Sequence, residues 1–185
     1  MERITVGLVA CAATKAATHQ PARLLYRSNL FRAASGYAAR TYDHWFILSA
    51  RHYLVHPDED LDPYDQTLKT MRKDDREHWA RLVELDLRCG HGCRTEGRRT
   101  WPVTTPQLRL GAWLQEGRDA DPPAERRVDL WLHAGNDYTE PLAERIRALG
   151  TPFDVHLPLA GLGIGQQLAW YAARQDPQTT LFPPP

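Results

Sequence analysis

The stretch that decides the fold is a bulky apolar run that turns polar within one residue, Trp45-Phe46-Ile47-Leu48-Ser49-Ala50-Arg51-His52-Tyr53-Leu54-Val55, followed by Asp62-Pro63-Tyr64-Asp65. The large apolar side chains at its start are typical of a strand that is buried on both faces of a parallel sheet. From Ser49 onward the chain offers a hydroxyl, a guanidinium, an imidazole and two phenols. Open α/β sheets bind ligands where buried strands end in polar loops. The run therefore predicts a parallel sheet and one wall of a binding site.

The bulk properties favour one domain over residues 1–185, since this length gives a sizeable core and too little chain for two domains. The 23 basic and 23 acidic residues cancel, so net charge offers no argument for nucleic acid. Three cysteines cannot all pair, and nothing in the sequence resembles a signal peptide. No apolar run approaches the roughly 20 residues that span a membrane. We expect a cytoplasmic protein with reduced thiols and no membrane partner.

Hydrophobic patterns along the chain alternate between strands and helices. The expected strands are Ile4–Ala10, His44–Ser49, Val128–Ala134 and Phe153–Leu157, and the expected helices are Leu30–Arg40, Asp74–Leu87, Pro141–Gly150 and Gln166–Arg174. Ser28 or Asn29 suits the cap of the first helix, Pro141 the first turn of the third, and Gly150 its end. The order predicts a three-layer α/β fold, with a mostly parallel sheet of about four or more strands and helices on both faces.

A loop-rich basic insertion interrupts this alternation from Arg88 to Arg127, with a short helix expected at Leu108–Leu114. Its arginines could contact a nucleic-acid backbone or could lie in a solvated loop; they include Arg94, Arg98, Arg99 and Arg109. Cys89, His91 and Cys93 alternate every second residue, unlike the spacing of zinc ligands, and no fourth ligand is nearby. We therefore predict no metal and no cofactor.

Four polar loops follow strands of the expected sheet: Cys11–Lys15, Ser49–Asp65, Gly135–Tyr138 and Gly161–Gln167. Because parallel strands share one carboxyl edge, all four loops should open on the same side of the sheet. We expect Cys11, Ser49, Asp137 and Gly163 to meet there.

Each loop also has a purely structural interpretation. Lys15 could bind a phosphate beside Cys11, or the thiol could simply pack while the amine is solvated. Asp137 could orient water over a substrate, or Gly135–Tyr138 could be a turn whose side chains bond to nearby backbone. The glycines of Gly161–Gln167 lack the spacing of a dinucleotide fingerprint, which excludes NAD. Their amides, with the side chains of Gln166 and Gln167, favour a planar base, although a tight turn explains the glycines equally well.

The motifs together resemble a family, that of uncharacterised actinobacterial proteins related to the bacterial peroxide-stress family YaaA. The matching motifs are Ile47-Leu48-Ser49-Ala50 with His52, Leu54 and Pro57; Pro63-Tyr64-Asp65 with Thr67-Leu68; Cys11 with Lys15; Ser28 with Leu30-Phe31-Arg32; and Pro158 through Trp170. The resemblance covers most of the chain except the insertion. At the position after the histidine, where the family often has glycine, this chain has Tyr53.

The resemblance implies nucleic-acid or nucleobase chemistry. YaaA-like proteins are associated with DNA binding during oxidative stress, and the Cys11–Lys15 loop is similar to one in archaeosine-synthesis enzymes. More distant α/β relatives include DNA glycosylases of phage defence. These are analogies of fold and motif, and the chemistry must be argued from the site itself.

We predict an enzyme that acts on a nucleobase or its N-glycosidic bond, in DNA more than RNA or in a nucleotide. Asp137 or Asp65 would stabilise a sugar cation and position water, with Ser49 as a third catalytic candidate. Gln166, Gln167 and Tyr53 would hold a flipped base, and Lys15, Arg32 and Arg51 would bind phosphate. The expected substrate-binding set is Cys11, Lys15, Ser28, Arg32, Arg51, His52, Tyr53, Tyr64, Asn136, Tyr138, Gly161, Gly163, Gly165, Gln166 and Gln167.

Two other functions remain open from the sequence. A non-catalytic DNA-binding stress-response protein would use the insertion arginines and need no pocket chemistry. A small-molecule nucleoside hydrolase or transferase would fit the neutral net charge better than tight DNA binding does.

Overall fold

Strand β1 (Glu2–Ala10) lies at the centre of the sheet in a computed structural model that describes residues 1–89, 110–150 and 152–174. The other elements in chain order are β2 (Gln20–Pro21), α1 (Ala22–Leu25), α2 (Asn29–Thr41), β3 (His44–Ser49), β4 (Tyr53–Val55), β5 (Asp60–Leu61), α3 (Lys73–Cys89), α4 (Leu110–Asp119), β6 (Arg126–His133), α5 (Asn136–Ala148), β7 (Phe153–His156) and α6 (Ile164–Ala172). A short 3-10 helix, Leu68–Thr70, precedes α3. Among the described residues, no helix has the length and apolar character needed to cross a membrane.

The sheet has five strands in the order β4-β3-β1-β6-β7, and all neighbours are parallel except β4, which pairs antiparallel with β3. Leu8 of β1 lies opposite Phe46 of β3 and Leu132 of β6, which fixes the central register. Strands β2 and β5 form a separate two-stranded antiparallel ribbon. The α/β architecture with a mostly parallel sheet is therefore confirmed.

Helices cover the sheet on both sides because successive strand residues point to opposite faces. Leu8, Leu48 and Leu130 face a core formed with α3, α4 and α5, which we call the α3 face. Val9 and Ile47 face a second core formed with α2 and α6, the α2 face. All five of these side chains are almost fully buried.

Several helix and strand ends agree with the sequence-based expectations. Strand β3 has the expected bounds, and the Ser28 hydroxyl accepts a hydrogen bond from the Phe31 backbone N–H at 3.0 Å, which caps α2. Gly150 has a φ of +67°, as expected for the residue that ends a helix.

Other local expectations were wrong. No helix or strand was expected between Ala10 and Leu30, but this stretch contains β2 and α1 because Leu25 and Tyr26 are buried in the α2 face. Ser49–Asp65 is not a simple loop to a helix, since Tyr53–Val55 turns back to pair with β3 and the chain then forms β5.

The starts of the last two helices also differ from expectation. Gly135–Tyr138 is not an isolated turn, because Gly135 caps α5 and its carbonyl accepts from the Tyr138 and Thr139 backbone N–H groups. Pro141 therefore lies inside α5 rather than in its first turn. Helix α6 begins at Ile164, two residues earlier than expected.

The insertion is shorter than Arg88–Arg127, since α3 continues to Cys89 and β6 begins at Arg126. Arg94, Arg98, Arg99 and Arg109 lie outside the described residues, as do His91 and Cys93. The roles expected for them stay predictions.

Candidate functional site

The site forms where β1 and β6 end, and its first contact joins their loops. The Cys11 Sγ lies 3.2 Å from the Tyr138 Oη, although 127 positions separate the two residues. The Cys11 backbone N–H also donates to the Leu48 carbonyl of β3 at 2.9 Å. The loops that follow β1 and β6 therefore meet at the carboxyl edge of the sheet, beside the end of β3.

A chain of three buried hydroxyl groups forms the floor of the site below β3. The Tyr64 Oη lies 2.8 Å from the Ser49 Oγ and 2.9 Å from the Tyr26 Oη. The Ser49 Oγ also accepts from the His52 backbone N–H at 2.9 Å, and the His52 ring stands edge-on to Tyr64 at 5.0 Å. Ser49 is fully buried, so the geometry shows it fixing the loop and the Tyr64 phenol.

Lys15 lies on this floor as a cation on an aromatic surface. Its Nζ is 4.2 Å from the centroid of the Tyr64 ring and 5.9 Å from that of Tyr26, and it donates to the Ala13 carbonyl at 3.2 Å. Within the described part of the chain, no carboxylate lies at ion-pair distance from this ammonium group. An ammonium group without a neutralising carboxylate attracts an anionic ligand.

The first turn of α5 carries a carboxylate one position before the Tyr138 phenol. Asp137 precedes Tyr138, and one of its oxygens lies 3.9 Å from the Arg76 Nη1 of α3. Trp79 of α3 donates its indole N–H to the Ser49 carbonyl at 2.8 Å and stands edge-on to Tyr138 at 5.4 Å. Helix α3 thus ties the Ser49 loop to the α5 loop.

Two phenols of the site are held in their neutral form. Burial raises the pKa of Tyr64, and the nearby Cys11 raises it further. Burial also raises the pKa of Tyr138, again with a contribution from Cys11. At neutral pH both groups therefore remain protonated hydrogen-bond donors. The Tyr138 hydroxyl can donate to the Cys11 Sγ or, in its place, to a bound ligand.

The glycine-rich loop is more open than the rest of the site. Gly161 has a φ of +75°, and a Cβ added to Gly161 or Gly165 would meet nothing within 4 Å. Gly163 caps α6 through its backbone N–H, which donates to the Gln166 Oε1 at 2.9 Å. The Gln167 side chain is buried and donates to the Leu162 carbonyl at 2.7 Å. Both glutamine side chains are thus engaged within their own loop.

The expected meeting of Cys11, Ser49, Asp137 and Gly163 is supported to different degrees. The thiol is linked to the Asp137 loop through Tyr138, and Ser49 is linked to the Lys15 loop through Tyr64. The Gly163 loop approaches through its apolar residues only, since Leu159 and Leu162 belong to the same core cluster as Cys11.

The remaining expected residues lie at the rim or in structural positions. Arg51, Asp65 and Asn136 are exposed. Arg32 is also exposed, and its guanidinium donates to the Arg27 carbonyl and the Asn29 Oδ1, each at 3.2 Å.

Tyr53 occupies a backbone conformation that glycine adopts more readily than other residues do. Its φ is +64°, in the left-handed region that favours glycine, and it is the sole described non-glycine residue with a positive φ. Its half-buried side chain packs against the α3 face. The structure thus shows Tyr53 lining the core below the site.

Three residues of the site were missed from the sequence: Tyr26, Arg76 and Trp79. The spacing of Trp79 and Val83 in the expected helix Asp74–Leu87 predicts a core position and nothing more. Tyr26 ends the apolar run Leu24-Leu25-Tyr26, a signal that would have argued against a polar loop. Nothing in the sequence pairs Arg76 with Asp137.

Two surface depressions lie beside the site rather than in it. A groove of about 720 Å³ between α3 and α5 is lined by residues that include Arg76, Glu77, Glu140 and Glu144. A smaller cavity of about 300 Å³ lies near His44 and His56, at the start of β3. We place the site at the carboxyl edge because the thiol, phenols and ammonium group converge there, while the groove meets it only at Arg76.

Comparison with known proteins gives one similarity. Residues 6–96, just under half of the chain, are similar to the model of a family of unknown function (DUF6884). No curated protein and no solved structure matches this chain significantly. The similar segment contains Cys11, Lys15, Ser49 and Tyr64, whereas Asp137 lies beyond it.

Proposed function

We propose that this protein is an enzyme that acts on the N-glycosidic bond of a nucleobase, in DNA or in a nucleotide. The observation that carries the proposal is the gathering of three groups at the ends of β1, β3 and β6. The Lys15 ammonium lies over the Tyr64 ring, the Cys11 thiol contacts the Tyr138 hydroxyl, and Asp137 directly precedes Tyr138 in the chain. An anion site, a neutral donor and a carboxylate are the groups that this reaction needs.

The chemistry follows from charge development in the transition state. As the bond between C1′ and the base nitrogen breaks, its electron pair leaves with the base and positive charge forms on the sugar. Asp137 would stabilise that charge and accept a proton from the attacking water, whose oxygen bonds to C1′. The neutral Tyr138 hydroxyl would donate a hydrogen bond to the departing base, which gains its proton from solvent.

The rim supplies the groups for recognition. Lys15 would hold a phosphate, with the exposed Arg32 and Arg51 as further cations. The open glycines of residues 161–165 leave room for a planar base to approach the backbone. The Asp65 carboxylate is the alternative to Asp137, although it is exposed and does not share the thiol–phenol contact.

The test is base release from a panel of nucleoside monophosphates and of oligonucleotides with modified bases, measured by mass spectrometry on the full chain. We expect Asp137→Asn to reduce release at least about 100-fold, as loss of a positioned acid–base group does. Glu144→Gln is the matched control, since it makes the same change at an exposed position of the same helix. Release that is equal in both variants, or absent from the whole panel with the native chain, would overturn the proposal.

A DNA-binding protein without catalysis is the second candidate, because Lys15, Arg27, Arg32 and Arg51 form no ion pair within the described residues. Salt-dependent binding of duplex DNA that is indifferent to Asp137→Asn, without base release, would select this function.

A further inference from the structure

We propose that Tyr26 and Tyr64 are positioning residues that hold the Lys15 ammonium group as a preformed site for a phosphoryl group. This inference rests on the proposed function in its choice of ligand and deepens it. It assigns a role to Tyr26, which lies outside the residues expected from the sequence.

The two rings form a fixed surface because both are anchored. Tyr26 and Tyr64 are 1% and 8% exposed, and their hydroxyl groups lie 2.9 Å apart. The Tyr64 hydroxyl has a second partner in the Ser49 Oγ at 2.8 Å. The Tyr26 ring also packs on Phe31, with centroids 5.0 Å apart. Neither ring can rotate away without breaking a buried hydrogen bond.

The backbone of Lys15 is anchored to the same element. Lys15 forms an antiparallel β-bridge with Tyr26, flanked by hydrogen bonds from the Ala16 N–H to Leu25 at 2.8 Å and from the Arg27 N–H to Thr14 at 2.9 Å. The Tyr26 segment therefore holds the backbone of Lys15, while its ammonium group lies over the Tyr64 ring at 4.2 Å and more distantly over Tyr26 at 5.9 Å. A long lysine side chain normally loses much rotamer freedom when it binds a ligand, and this arrangement removes part of that cost in advance.

The charge of the site favours an anionic ligand, and the proposed function makes that ligand a phosphoryl group. The aromatic faces stabilise the cation without neutralising it, unlike a carboxylate partner. The N-terminal end of α2 adds partial positive charge nearby, since Arg27 and Ser28 connect the Tyr26 segment to that helix. The phosphoryl group could belong to a free nucleotide or to a polynucleotide strand, and the experiment separates these sources.

The position of the Lys15 side chain can be measured by NMR with little signal overlap, because the chain contains three lysines, Lys15, Lys69 and Lys73. Lys69 and Lys73 are exposed and serve as internal references. In an NMR spectrum of the native protein labelled with ¹³C-lysine, we expect the Lys15 ε-methylene protons to be shifted upfield by the Tyr64 ring current. Tyr64→Phe should reduce this shift, because the ring remains but loses both hydrogen bonds that fix it, and Tyr64→Leu should abolish it.

Binding is measured in parallel by calorimetry with inorganic phosphate, a deoxynucleoside 5′-monophosphate and a short single-stranded oligonucleotide. We expect Lys15→Met to weaken the preferred probe at least about tenfold, as loss of a charged hydrogen bond does. Tyr64→Leu should weaken it about three- to tenfold and Tyr26→Phe less, whereas Lys69→Met should leave it unchanged. Preference for the monophosphate or for the oligonucleotide identifies the source of the phosphoryl group.

The outcomes separate this proposal from the proposed function. An unshifted Lys15 signal in the native protein, or equal affinity for every probe in native protein and Lys15→Met, would overturn it. If Tyr26 were only structural, Tyr26→Phe would lower the melting temperature but leave the Lys15 shift and the affinity of the folded protein unchanged. A shifted Lys15 signal and Lys15-dependent phosphate binding without base release would uphold this site and reject the glycosidic chemistry.

Discussion

The α3 face and the α2 face of the sheet are built from different chemistry. The α3 face is mostly aliphatic, with residues such as Leu8, Leu130 and Val83 fully buried against one another. On the α2 face, β6 contributes the buried imidazole of His133 where its other face contributes aliphatic side chains. His133 is 3% exposed, with its Nε2 2.6 Å from the Tyr42 Oη and its Nδ1 2.8 Å from the Tyr171 Oη.

The α2 face becomes charged toward the edge strand β7. Asp129 lies 2.6 Å from the Arg3 Nη1 and 3.0 Å from the His156 Nε2. The His156 ring also stacks on Trp131, with centroids 4.2 Å apart. Apolar packing is insensitive to pH and salt, whereas buried imidazoles and ion pairs are not. The comparison therefore predicts that the two faces respond differently to the same perturbations.

The largest effect is expected on the α3 face. Leu130→Ala should lower the free energy of unfolding by about 3–4 kcal/mol, because the truncation leaves a cavity between β6 and the helices. The loss, measured by urea unfolding, should be the same at neutral and mildly acidic pH. Leu24→Ala is the control, since Leu24 is 53% exposed and should change stability by less than about 0.5 kcal/mol. A strongly pH-dependent loss in Leu130→Ala would contradict the contrast between the faces.

The α2 face should show a pH-dependent effect that centres on His133. Burial lowers the pKa of His133 from 6.5 to about 4. Between these two pH values the unfolded chain binds the proton more readily than the folded protein does. The stability that comes from burying a neutral His133 is therefore complete above pH 6.5 and is lost as the pH falls to about 4. The loss is at most about 3 kcal/mol. Urea unfolding across this range should show a much weaker pH dependence in His133→Gln than in the native protein.

Other groups set the background for that measurement. Burial also lowers the pKa of His56, so a small part of the dependence should persist in His133→Gln. Asp43 accepts two hydrogen bonds from Thr5, and its lowered pKa places its own contribution at more acidic pH. If His133→Gln and the native protein showed equal pH dependence of the free energy of unfolding, His133 would not be the source of the pH sensitivity of the α2 face.

The sequence predicts the fold where hydrophobic pattern alone determines the element. Strands β1 and β3 are apolar runs, and the Ser28 hydroxyl marks the start of α2, so each could be derived locally. The bounds of α1 and β4 could not be derived from the local sequence. The pattern of Tyr53–Val55 does not distinguish a loop from a strand that turns back, and α1 is stabilised by burial of Leu25 under elements distant in the chain.

The candidate site is predictable in its position and less so in its partners. The alternation of strands and helices places the loops of Cys11, Ser49 and Tyr138 at one edge, because parallel strands share a carboxyl end. The pairing of Tyr64 with Tyr26 could not be predicted in this way, since Tyr26 lies 38 positions away and contacts Tyr64 only through tertiary packing. The same limit applies to the ion pair between Arg76 and Asp137.

A smaller effect tests whether the Tyr171 hydroxyl stabilises the protein through its hydrogen bond to His133. Tyr171→Phe removes the hydroxyl that bonds to the His133 Nδ1 and should cost about 1–2 kcal/mol, because a buried nitrogen loses its partner. In a His133→Leu background the same deletion should cost less, which a double-mutant cycle measures by urea unfolding at neutral pH. Additive effects of the two substitutions would mean that the hydroxyl acts through packing alone.

The smallest effect returns to the α3 face and to its strained residue. At most positions alanine is preferred to glycine, but the φ of +64° at Tyr53 should reverse this order. Both Tyr53→Gly and Tyr53→Ala lose the ring that packs on the α3 face, so the difference between them isolates the backbone. We expect the glycine variant to be more stable by about 1 kcal/mol. Thermal and urea unfolding of the two variants give this difference directly, and an alanine variant of equal or greater stability would mean that the turn relaxes out of the left-handed region. The expected order would show that the turn at Tyr53 carries backbone strain, which the packing of its side chain on the α3 face offsets.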